Sequence, residues 1–354
     1  MVAMSGGVDS SAAALLLKEE GFDVVGVTMC FDIVQAGSRR PSCCGPRGIE
    51  DAKKVCRDLK IPHYVLPFGP VLEEEVILDF IHEYLSGRTP NPCIRCNQYL
   101  KFGHLLRKAR AMGFAGLATG HYARREKHGR DIFLKKGVDE KKDQSYFLCQ
   151  VRRQDLKDIF FPIGGMTKDE VRAYARRKGL SVCDKPGSQE ICFIPSNDYR
   201  SFLNSRLNAA CYRTGDIVDR SGKVLGQHRG VFQFTIGQRE GLGIAAPHPL
   251  YVIALDEKTN RVFVGPKTEV FHKTLLASEL NILSPGNFKK VQHLEAKIRY
   301  NHPQAAARVT PLANKRVHVV FDVPQPAVTP GQFVVFYKGD VVLGGAKIIR
   351  EKHV

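Results

Sequence analysis

Long apolar runs, internal repeats and low-complexity segments are all missing from this sequence. The longest run of small or aliphatic residues near the start, Ala12 to Leu17, is far short of the roughly 20 residues that a bilayer-spanning helix needs. Nothing that resembles a cleavable leader precedes that run. These absences argue against a membrane-spanning or fibrous protein, and we expect a globular, cytoplasmic protein with no membrane partner.

Acidic residues are also in short supply. Aspartate and glutamate number 36 against 53 lysines and arginines, which gives a formal charge of +17. A basic surface concentrates polyanions, so nucleic acid is the expected partner, although charge that serves only solubility would give the same count. With 354 residues, 43% of them hydrophobic, the chain is long enough for more than one core.

The first part of the sequence alternates short apolar runs with amphipathic segments, which is the pattern of a parallel sheet with crossover helices. The spacing predicts helices over 10–20, 49–59 and 168–178 and a buried strand over 22–29. We therefore expect a first domain of class α/β, a nucleotide-binding parallel-sheet domain over residues 1–195.

Beyond residue 195 the pattern changes to short alternating strands separated by glycine and asparagine turns. Segments 215–224 and 251–264 have this pattern, which predicts a small β-rich central domain over 196–273. Strands predicted over 294–300, 316–323, 332–337 and 341–349 indicate a C-terminal antiparallel β-barrel over 274–354, which we expect to contact the nucleic acid.

A glycine-rich loop lies between the first strand and the first helix, with the sequence Met4-Ser5-Gly6-Gly7-Val8-Asp9-Ser10-Ser11. The amides of such a loop and the dipole of the following helix suit a phosphate anion. The serines add hydroxyl donors, and Asp9 can orient the loop or hold Mg²⁺. The loop lacks the lysine that γ-phosphate transferases use, so it suits a departing pyrophosphate. A tight turn with a serine cap is the structural alternative.

Ser5–Ser10 resembles the signature of the PP-loop ATP pyrophosphatases, which cleave ATP to AMP and pyrophosphate. GMP, asparagine, NAD and argininosuccinate synthetases share that signature. The resemblance therefore implies an adenylating enzyme and leaves its acceptor open.

A pair of cysteines follows two prolines in the segment 89–97. Cys93 and Cys96 lie three residues apart, with Arg95 and Lys101 nearby, and positive neighbours lower a thiol pKa and favour the thiolate. In a reducing compartment such cysteines are thiols, metal ligands or redox catalysts more often than structural crosslinks. Half of a zinc site, completed by the adjacent cysteines at 43 and 44, and inert buried thiols are the alternatives.

A third thiol, Cys192, lies in the segment Ser188-Gln189-Glu190-Ile191-Cys192-Phe193-Ile194-Pro195. Together with the loop and the thiol pair, this segment makes the sequence resemble the tRNA-specific 2-thiouridylases. The resemblance continues in order through 119–122, 142–148, 235–243 and 327–337, so it covers essentially the whole chain.

The resemblance implies roles for particular residues. Cys96 would be the nucleophile and Cys192 the persulfide carrier. ATP would contact Ala3, Met4, Ser5, Gly6, Gly7, Val8, Asp9, Ser10, Met29 and Gly120. The target base would meet Asn91, Pro92 and Cys93, and the rest of the tRNA would touch His121, Lys142, Asp143, Gln144, Arg299, Tyr300 and Gln332.

The implied reaction consumes ATP, with Mg²⁺, to adenylate the C2 oxygen of the wobble uridine in the anticodon arm. Sulfur from the persulfide then replaces that oxygen, which yields 2-thiouridine, AMP, pyrophosphate and a Cys96–Cys192 disulfide. A cysteine desulfurase or a sulfur relay protein would supply the persulfide.

Cys93 departs from the family pattern, which often has an acidic residue at this position. Cys93, Cys96 and Cys192 could instead hold an iron-sulfur cluster, as in other thiolases of the superfamily. A tRNA-binding protein with vestigial nucleotide binding is the third alternative.

Overall fold

The computed structural model describes residues 1–31, 33–34, 41–42, 46–185, 191–194, 198–284, 288 and 290–350. Within these ranges no helix combines the length and the apolar character needed to cross a membrane. The helices are α1 (Val8–Glu19), α2 (Pro46–Asp58), α3 (Gly69–Leu72), α4 (Leu78–Leu85), α5 (Pro92–Arg95), α6 (Leu106–Ala111), α7 (Lys168–Arg177) and α8 (Tyr199–Asn204).

Two π-helical segments join neighbouring helices into longer rods. Glu73–Ile77 connects α3 to α4, and Cys96–Leu105 connects α5 to α6. Short 3₁₀-helices occur at Ser145–Leu148, Arg153–Asp158, Ala209–Cys211, Val231–Gln233 and Lys267–Val270.

The first part of the chain contains a parallel sheet, as the alternating pattern predicted. Its strand order is β5-β2-β1-β6-β9. The strands up to residue 160 are β1 (Val2–Ala3), β2 (Gly26–Cys30), β3 (Ile33–Val34), β4 (Pro41–Ser42), β5 (His63–Pro67), β6 (Leu117–Ala118), β7 (Ala123–His128), β8 (Asp131–Lys136) and β9 (Ile159–Phe160). The predicted helices are present within two or three residues of their expected limits, whereas the strand expected over 22–29 begins only at Gly26.

Helices cover both faces of this sheet. One apolar cluster joins α1, α2 and α7 to one face, and includes Ala12, Val55 and Val171. A second cluster on the other face contains Phe80, Ile94, Phe102 and the sulfur of Cys96, and it continues into the C-terminal strands through residues such as Tyr337. The cysteine-bearing helix is therefore packed between the sheet and the C-terminal part of the chain.

The later strands form a small sheet and a closed barrel. In the central part the order is β11-β10-β13-β12, and in the C-terminal part β14-β17-β16-β15-β18-β19 closes through pairing of β14 with β19. The closed antiparallel barrel predicted from the sequence is thus confirmed. The strands are β10 (Gly215–Val218), β11 (Val224–His228), β12 (Tyr251–Asp256), β13 (Arg261–Gly265), β14 (Phe271–Ile282), β15 (Gln292–Lys297), β16 (Ala305–Leu312), β17 (Arg316–Pro326), β18 (Phe333–Lys338) and β19 (Val341–Ile349).

The hairpin β7–β8 connects the first part of the chain to the barrel. Lys135 of β8 pairs with Val341 of β19, so the hairpin extends the barrel sheet. Asp340 receives ion pairs from Arg124 at 2.7 Å and from Lys135 at 3.1 Å. Sequence periodicity cannot reveal such a pairing, because the two strands are about two hundred residues apart.

Gly120 sets the distance between strand β6 and helix α1. A Cβ atom at this position would lie 2.6 Å from the amide nitrogen of Ser10 and 2.7 Å from the carbonyl carbon of Asp9. Only glycine allows the end of β6 to approach the helix this closely.

Gly120→Ala is therefore expected to destabilise the protein. Overpacking typically costs about 1–3 kcal/mol, and each kcal/mol lowers Tm by roughly 2–4 °C in a large domain. Thermal unfolding without nucleotide measures the effect. Gly165→Ala is the control, because its Cβ meets nothing within 4 Å. Equal Tm values for the two variants would contradict this packing.

Candidate functional site

The glycine-rich loop is a tight cradle at the carboxyl end of β1. Gly6 has φ +71°, and a Cβ there would lie 2.1 Å from the carbonyl oxygen of Gly48. The Ser10 hydroxyl accepts a hydrogen bond from the Ser5 amide at 3.1 Å and donates to the Gly7 carbonyl at 3.2 Å. The Ser11 hydroxyl donates to the same carbonyl at 2.9 Å. The serine hydroxyls, expected as phosphate donors, thus hold the shape of the loop.

Asp9 is paired with a lysine that lies far away in the sequence. The Nζ atom of Lys168 lies 2.6 and 2.8 Å from the two carboxylate oxygens of Asp9. The Tyr122 hydroxyl donates to the same carboxylate at 2.7 Å. The Lys168 side chain is only 12% exposed, so this ion pair is largely screened from water. The Asp9 carboxylate therefore joins the first turn of α1 to α7 and to Tyr122.

Lys185 also reaches the loop. Its Nζ atom donates to the Gly6 carbonyl at 3.0 Å and to the Asp51 carboxylate at 2.6 Å. Two lysines from outside the loop therefore lie against it, each paired with a carboxylate. We did not anticipate Lys168 or Lys185 from the sequence. The sequence feature that could have drawn attention to Lys168 is its position at the start of α7, immediately after the N-cap Thr167.

The residues predicted to contact ATP lie along one edge of the sheet. Ala3 ends β1, Met29 lies near the end of β2, and Gly120 follows β6. These strands are neighbours and parallel, so their carboxyl ends meet at one place. Ligands of open α/β sheets bind at this edge, and the helix N-terminus adds amides that favour an anion.

The two cysteines of the pair lie on consecutive turns of one helix. The Asn91 side chain caps α5 by accepting a hydrogen bond from the Ile94 amide at 3.3 Å, and Pro92 is the first helical residue. The Cys96 amide donates to the carbonyl groups of Pro92 and Cys93. Cys96 is buried and Cys93 half-buried.

Burial controls the thiol pKa values, contrary to the sequence-based expectation. Loss of hydration raises the pKa of Cys93 to about 11, and it also raises the pKa of Cys96, while Lys101 lowers both by a smaller amount. Arg95, the second expected cation, instead makes bonds of 2.8 and 3.1 Å to the Glu279 carboxylate on the barrel. The expectation of lowered pKa values was wrong, because desolvation outweighs the one cation that acts on the thiols.

His121 links the loop to the cysteine-bearing helix. Its Nδ1 atom lies 2.7 Å from the Thr119 hydroxyl, and its ring packs on Phe102 and Phe161 at centroid distances of 6.0 and 6.1 Å. Burial lowers the pKa of His121 well below its usual value, and Lys101 adds to this effect. The imidazole is therefore neutral at physiological pH.

The three residues of the Lys142–Gln144 motif differ in exposure. Lys142 is exposed and available to a large partner. Asp143 is buried, and its carboxylate accepts bonds from the Gly137 and Ser145 amides at 3.0 Å. The Gln144 side chain accepts a bond from the Tyr122 amide at 3.0 Å. Asp143 and Gln144 thus build the turn that presents Lys142.

The expected tRNA residues of the C-terminal part bind protein backbone. The Gln332 amide donates to the carbonyl groups of Thr89 and Pro90 at 2.9 and 3.0 Å. Arg299 donates to Ile236 at 3.1 Å and to Ala327 at 3.0 Å.

Tyr300 lies beside these contacts. Its ring packs against Phe147 at 4.5 Å between centroids, and Lys297 lies over the Tyr300 ring at 5.5 Å. Gln332, Arg299 and Tyr300 are each half-buried, so part of each side chain faces solvent beside the cysteine-bearing helix.

Cys192 is exposed, and its neighbours Phe193 and Ile194 belong to the same core cluster as Cys96. Ser188, Gln189, Glu190 and Pro195 of the same motif lie outside the described residues, as do the cysteines at 43 and 44. Within the described ranges no group of three or more His, Cys, Asp or Glu side chains is arranged to hold a metal ion. The three thiols are therefore not gathered into a cluster site in this conformation.

Three family models match successive parts of the chain. A "tRNA methyl transferase HUP domain" matches residues 1–196, a "tRNA methyl transferase PRC-barrel domain" matches 200–266, and an "Aminomethyltransferase beta-barrel domain" matches 272–348. The first match alone covers more than half of the chain.

Curated relatives align with the chain over nearly its full length. "tRNA-specific 2-thiouridylase MnmA 1" from Syntrophus aciditrophicus is 50% identical over 100% of this chain and 93% of its own length. The proteins named "tRNA-specific 2-thiouridylase MnmA" from Geobacter metallireducens and Geotalea uraniireducens are 50% and 48% identical, each over 98% of this chain and over 96% and 94% of their own lengths. With the phosphate loop, the thiol pair and the closed barrel in the order described above, the chain belongs to the family of the tRNA-specific 2-thiouridylases.

Proposed function

We propose that this protein is a tRNA-uridine 2-sulfurtransferase that adenylates the wobble uridine and then replaces its C2 oxygen with sulfur. The position of the dipeptide Gly120-His121 supports this most directly. Gly120 lies against the first turn of α1, while the His121 ring packs on Phe102 of the cysteine-bearing helix. A nucleotide at the loop and a base near Cys96 would therefore share one site.

In the first step the C2 oxygen of the uridine attacks the α-phosphorus of ATP. The new oxygen–phosphorus bond forms as the bond to pyrophosphate breaks. The loop amides, the α1 dipole and the cations of Lys168 and Lys185 surround the leaving pyrophosphate and stabilise its charge. ATP would enter as its magnesium complex.

In the second step the terminal sulfur of a Cys192 persulfide attacks C2, and AMP leaves with the original oxygen. Cys96 then attacks the Cys192 sulfur, the bond to the transferred sulfur breaks, and thiouridine departs. The Cys96 proton passes to the departing product, which fits a thiol that burial keeps protonated until it reacts. Exposed Cys192 is accessible to a persulfide donor, whether a cysteine desulfurase or a sulfur relay protein.

We assign adenylation and sulfur transfer to residues 1–195 and tRNA contact to the barrel, residues 274–354, with 196–273 between them. The proposed neighbours of the target base remain Asn91, Pro92 and Cys93. The other proposed tRNA residues remain His121, Lys142, Asp143, Gln144, Arg299, Tyr300 and Gln332. The similarity of the whole chain to the tRNA-specific 2-thiouridylases is the reason to propose the persulfide route rather than the iron-sulfur alternative.

Lys168→Met and Asp9→Ala are expected to lower tRNA-dependent pyrophosphate release by roughly 10²-fold. The first removes a preorganised positive charge from the site of the leaving group, and the second removes the carboxylate that holds the Lys168 ammonium and the Tyr122 hydroxyl in place. Affinity for tRNA should stay unchanged. Lys178→Met is the matched control, because Lys178 follows the same helix and pairs with Glu19 at its surface. Normal pyrophosphate release by both site variants would contradict the adenylation assignment and favour a tRNA-binding protein without catalysis.

Cys96→Ala and Cys192→Ala should each abolish thiouridine formation while pyrophosphate release continues. Cys93→Ala should keep much of the activity in a single turnover, since the persulfide route needs only two thiols for transfer. Nucleoside mass spectrometry after incubation with ATP and a sulfur source measures this. Equal loss in all three variants, together with stoichiometric iron after anaerobic purification, would establish the cluster mechanism instead.

Affinity for tRNA should fall steeply with salt, because the chain carries a charge of +17. Counterion release predicts a slope of roughly −0.7 to −0.9 in log K against log salt for each phosphate contacted. A filter-binding titration across a range of salt concentrations gives the slope. A flat response would remove tRNA as the partner.

A further inference from the structure

Cys93 is a nucleophilic group that the proposed transfer steps leave unused. It occupies the second position of α5, directly after Pro92, and is half-buried. Cys96 follows it by one helical turn, and the Cys96 amide donates a hydrogen bond back to the Cys93 carbonyl. Against the larger effect of burial, the positive charge of Lys101 lowers the pKa of both thiols.

The backbone of this turn brings the two cysteines within disulfide reach. Residues three apart in an α-helix have Cα atoms about 5 Å apart, from the rise and radius of the helix. Disulfides span Cα separations of roughly 4.4–6.8 Å. A bond between Cys93 and Cys96 therefore needs a change of side-chain rotamers and no rearrangement of the helix.

Cys192 differs from the pair in its surroundings. It is exposed, whereas Cys96 is buried among the core side chains of the cysteine-bearing helix. A thiolate leaving from Cys192 would be hydrated at once, and hydration favours departure of a thiolate. When Cys96 is bonded to Cys192 in a disulfide, the helix still holds the Cys93 thiol one turn away from the Cys96 sulfur.

We propose that Cys93 is a catalytic resolving thiol that releases Cys192 after each sulfur transfer. The inference rests on the proposed function. The Cys93 sulfur attacks the Cys96 sulfur, a Cys93–Cys96 bond forms, and the Cys96–Cys192 bond breaks. Cys192 leaves with the electron pair of that bond and takes up the proton that Cys93 loses. An external dithiol reductant then reduces the Cys93–Cys96 disulfide by two electrons and restores both thiols.

This exchange separates two tasks that would otherwise compete at one residue. Cys192 becomes available for a new persulfide soon after thiouridine has left. The Cys93–Cys96 disulfide stays on the helix until the reductant reduces it. In the absence of Cys93, Cys192 stays in its disulfide with Cys96 until an external reductant breaks that bond, so a new persulfide cannot be loaded on Cys192 before reduction and recycling is slower.

A single turnover without reductant tests the relay. The full-length protein is loaded with persulfide by inorganic polysulfide, freed of excess, and mixed with ATP and tRNA. The reaction is quenched with acid and N-ethylmaleimide, digested with trypsin and analysed by mass spectrometry. Trypsin cleaves after Arg95, so a Cys93–Cys96 disulfide joins the peptides Thr89–Arg95 and Cys96–Lys101 and is directly recognisable.

The wild-type protein should yield the Cys93–Cys96 pair with Cys192 alkylated. In Cys93→Ser and Cys93→Ala, whatever thiouridine forms should be matched by the Cys96–Cys192 disulfide in place of the Cys93–Cys96 pair, and with dithiothreitol the rate of later turnovers relative to the first should fall several-fold. Cys211→Ser, which alters a half-buried cysteine on a different segment, is the control and should behave as wild type. Thermal unfolding with a Tm equal to that of the wild type would show that the variants are folded.

Two other outcomes would overturn the relay in distinguishable ways. In one, the wild-type protein forms thiouridine normally but ends with a Cys96–Cys192 disulfide and an alkylated Cys93. This outcome would overturn the resolving role of Cys93 and leave the proposed function standing. Absence of thiouridine from the wild-type reaction would overturn the proposed function and the relay with it.

Discussion

The attachment of the barrel to the segment before Cys96 is the constraint on which the site depends. Gly331 has φ +93°, and a Cβ there would lie 2.8 Å from the Thr89 carbonyl oxygen, so the barrel backbone lies directly against this segment. Gln332 binds the Thr89 and Pro90 carbonyl groups from the same position, and Glu279 holds Arg95 with two bonds. A bidentate pair of this kind fixes orientation as well as distance. The helix with the thiols is therefore held at Arg95 and at its preceding segment by the C-terminal barrel.

This attachment changes how the expected tRNA residues are understood. Gln332 and Arg299 use their polar groups to join the barrel and the central part to the rest of the protein. They remain half-buried, so each can still present an edge to a bound nucleic acid. Gln332 alone of the two contacts the segment that precedes the cysteine-bearing helix, through the Thr89 and Pro90 carbonyl groups. A partner that displaced these two bonds would therefore release that segment from the barrel.

The phosphate loop shows a similar division between local and distant residues. Glycines and serines within the loop determine its shape, whereas Lys168 and Lys185 supply positive charge from segments beyond residue 160. Asp9 alone at the cradle would repel an anion, and pairing with Lys168 removes that repulsion. A cradle of this kind offers an anion backbone amides and dispersed positive charge, with no lysine inside the loop itself.

Local patterns in the sequence determined much of this protein: the parallel sheet and its helices, the closed barrel, the glycine-rich cradle and the spacing of Cys93 and Cys96. Each of these depends on neighbours in the chain, through periodicity, capping or backbone freedom. Only the tertiary structure decided the pairing of Asp9 with Lys168, the turning of Arg95 toward Glu279, and the joining of the β7–β8 hairpin to the barrel. It also decided the thiol pKa values, which the sequence led us to expect in the wrong direction. Desolvation and long-range ion pairing arise from groups that are remote in sequence, and no local pattern records which of them meet in the folded protein.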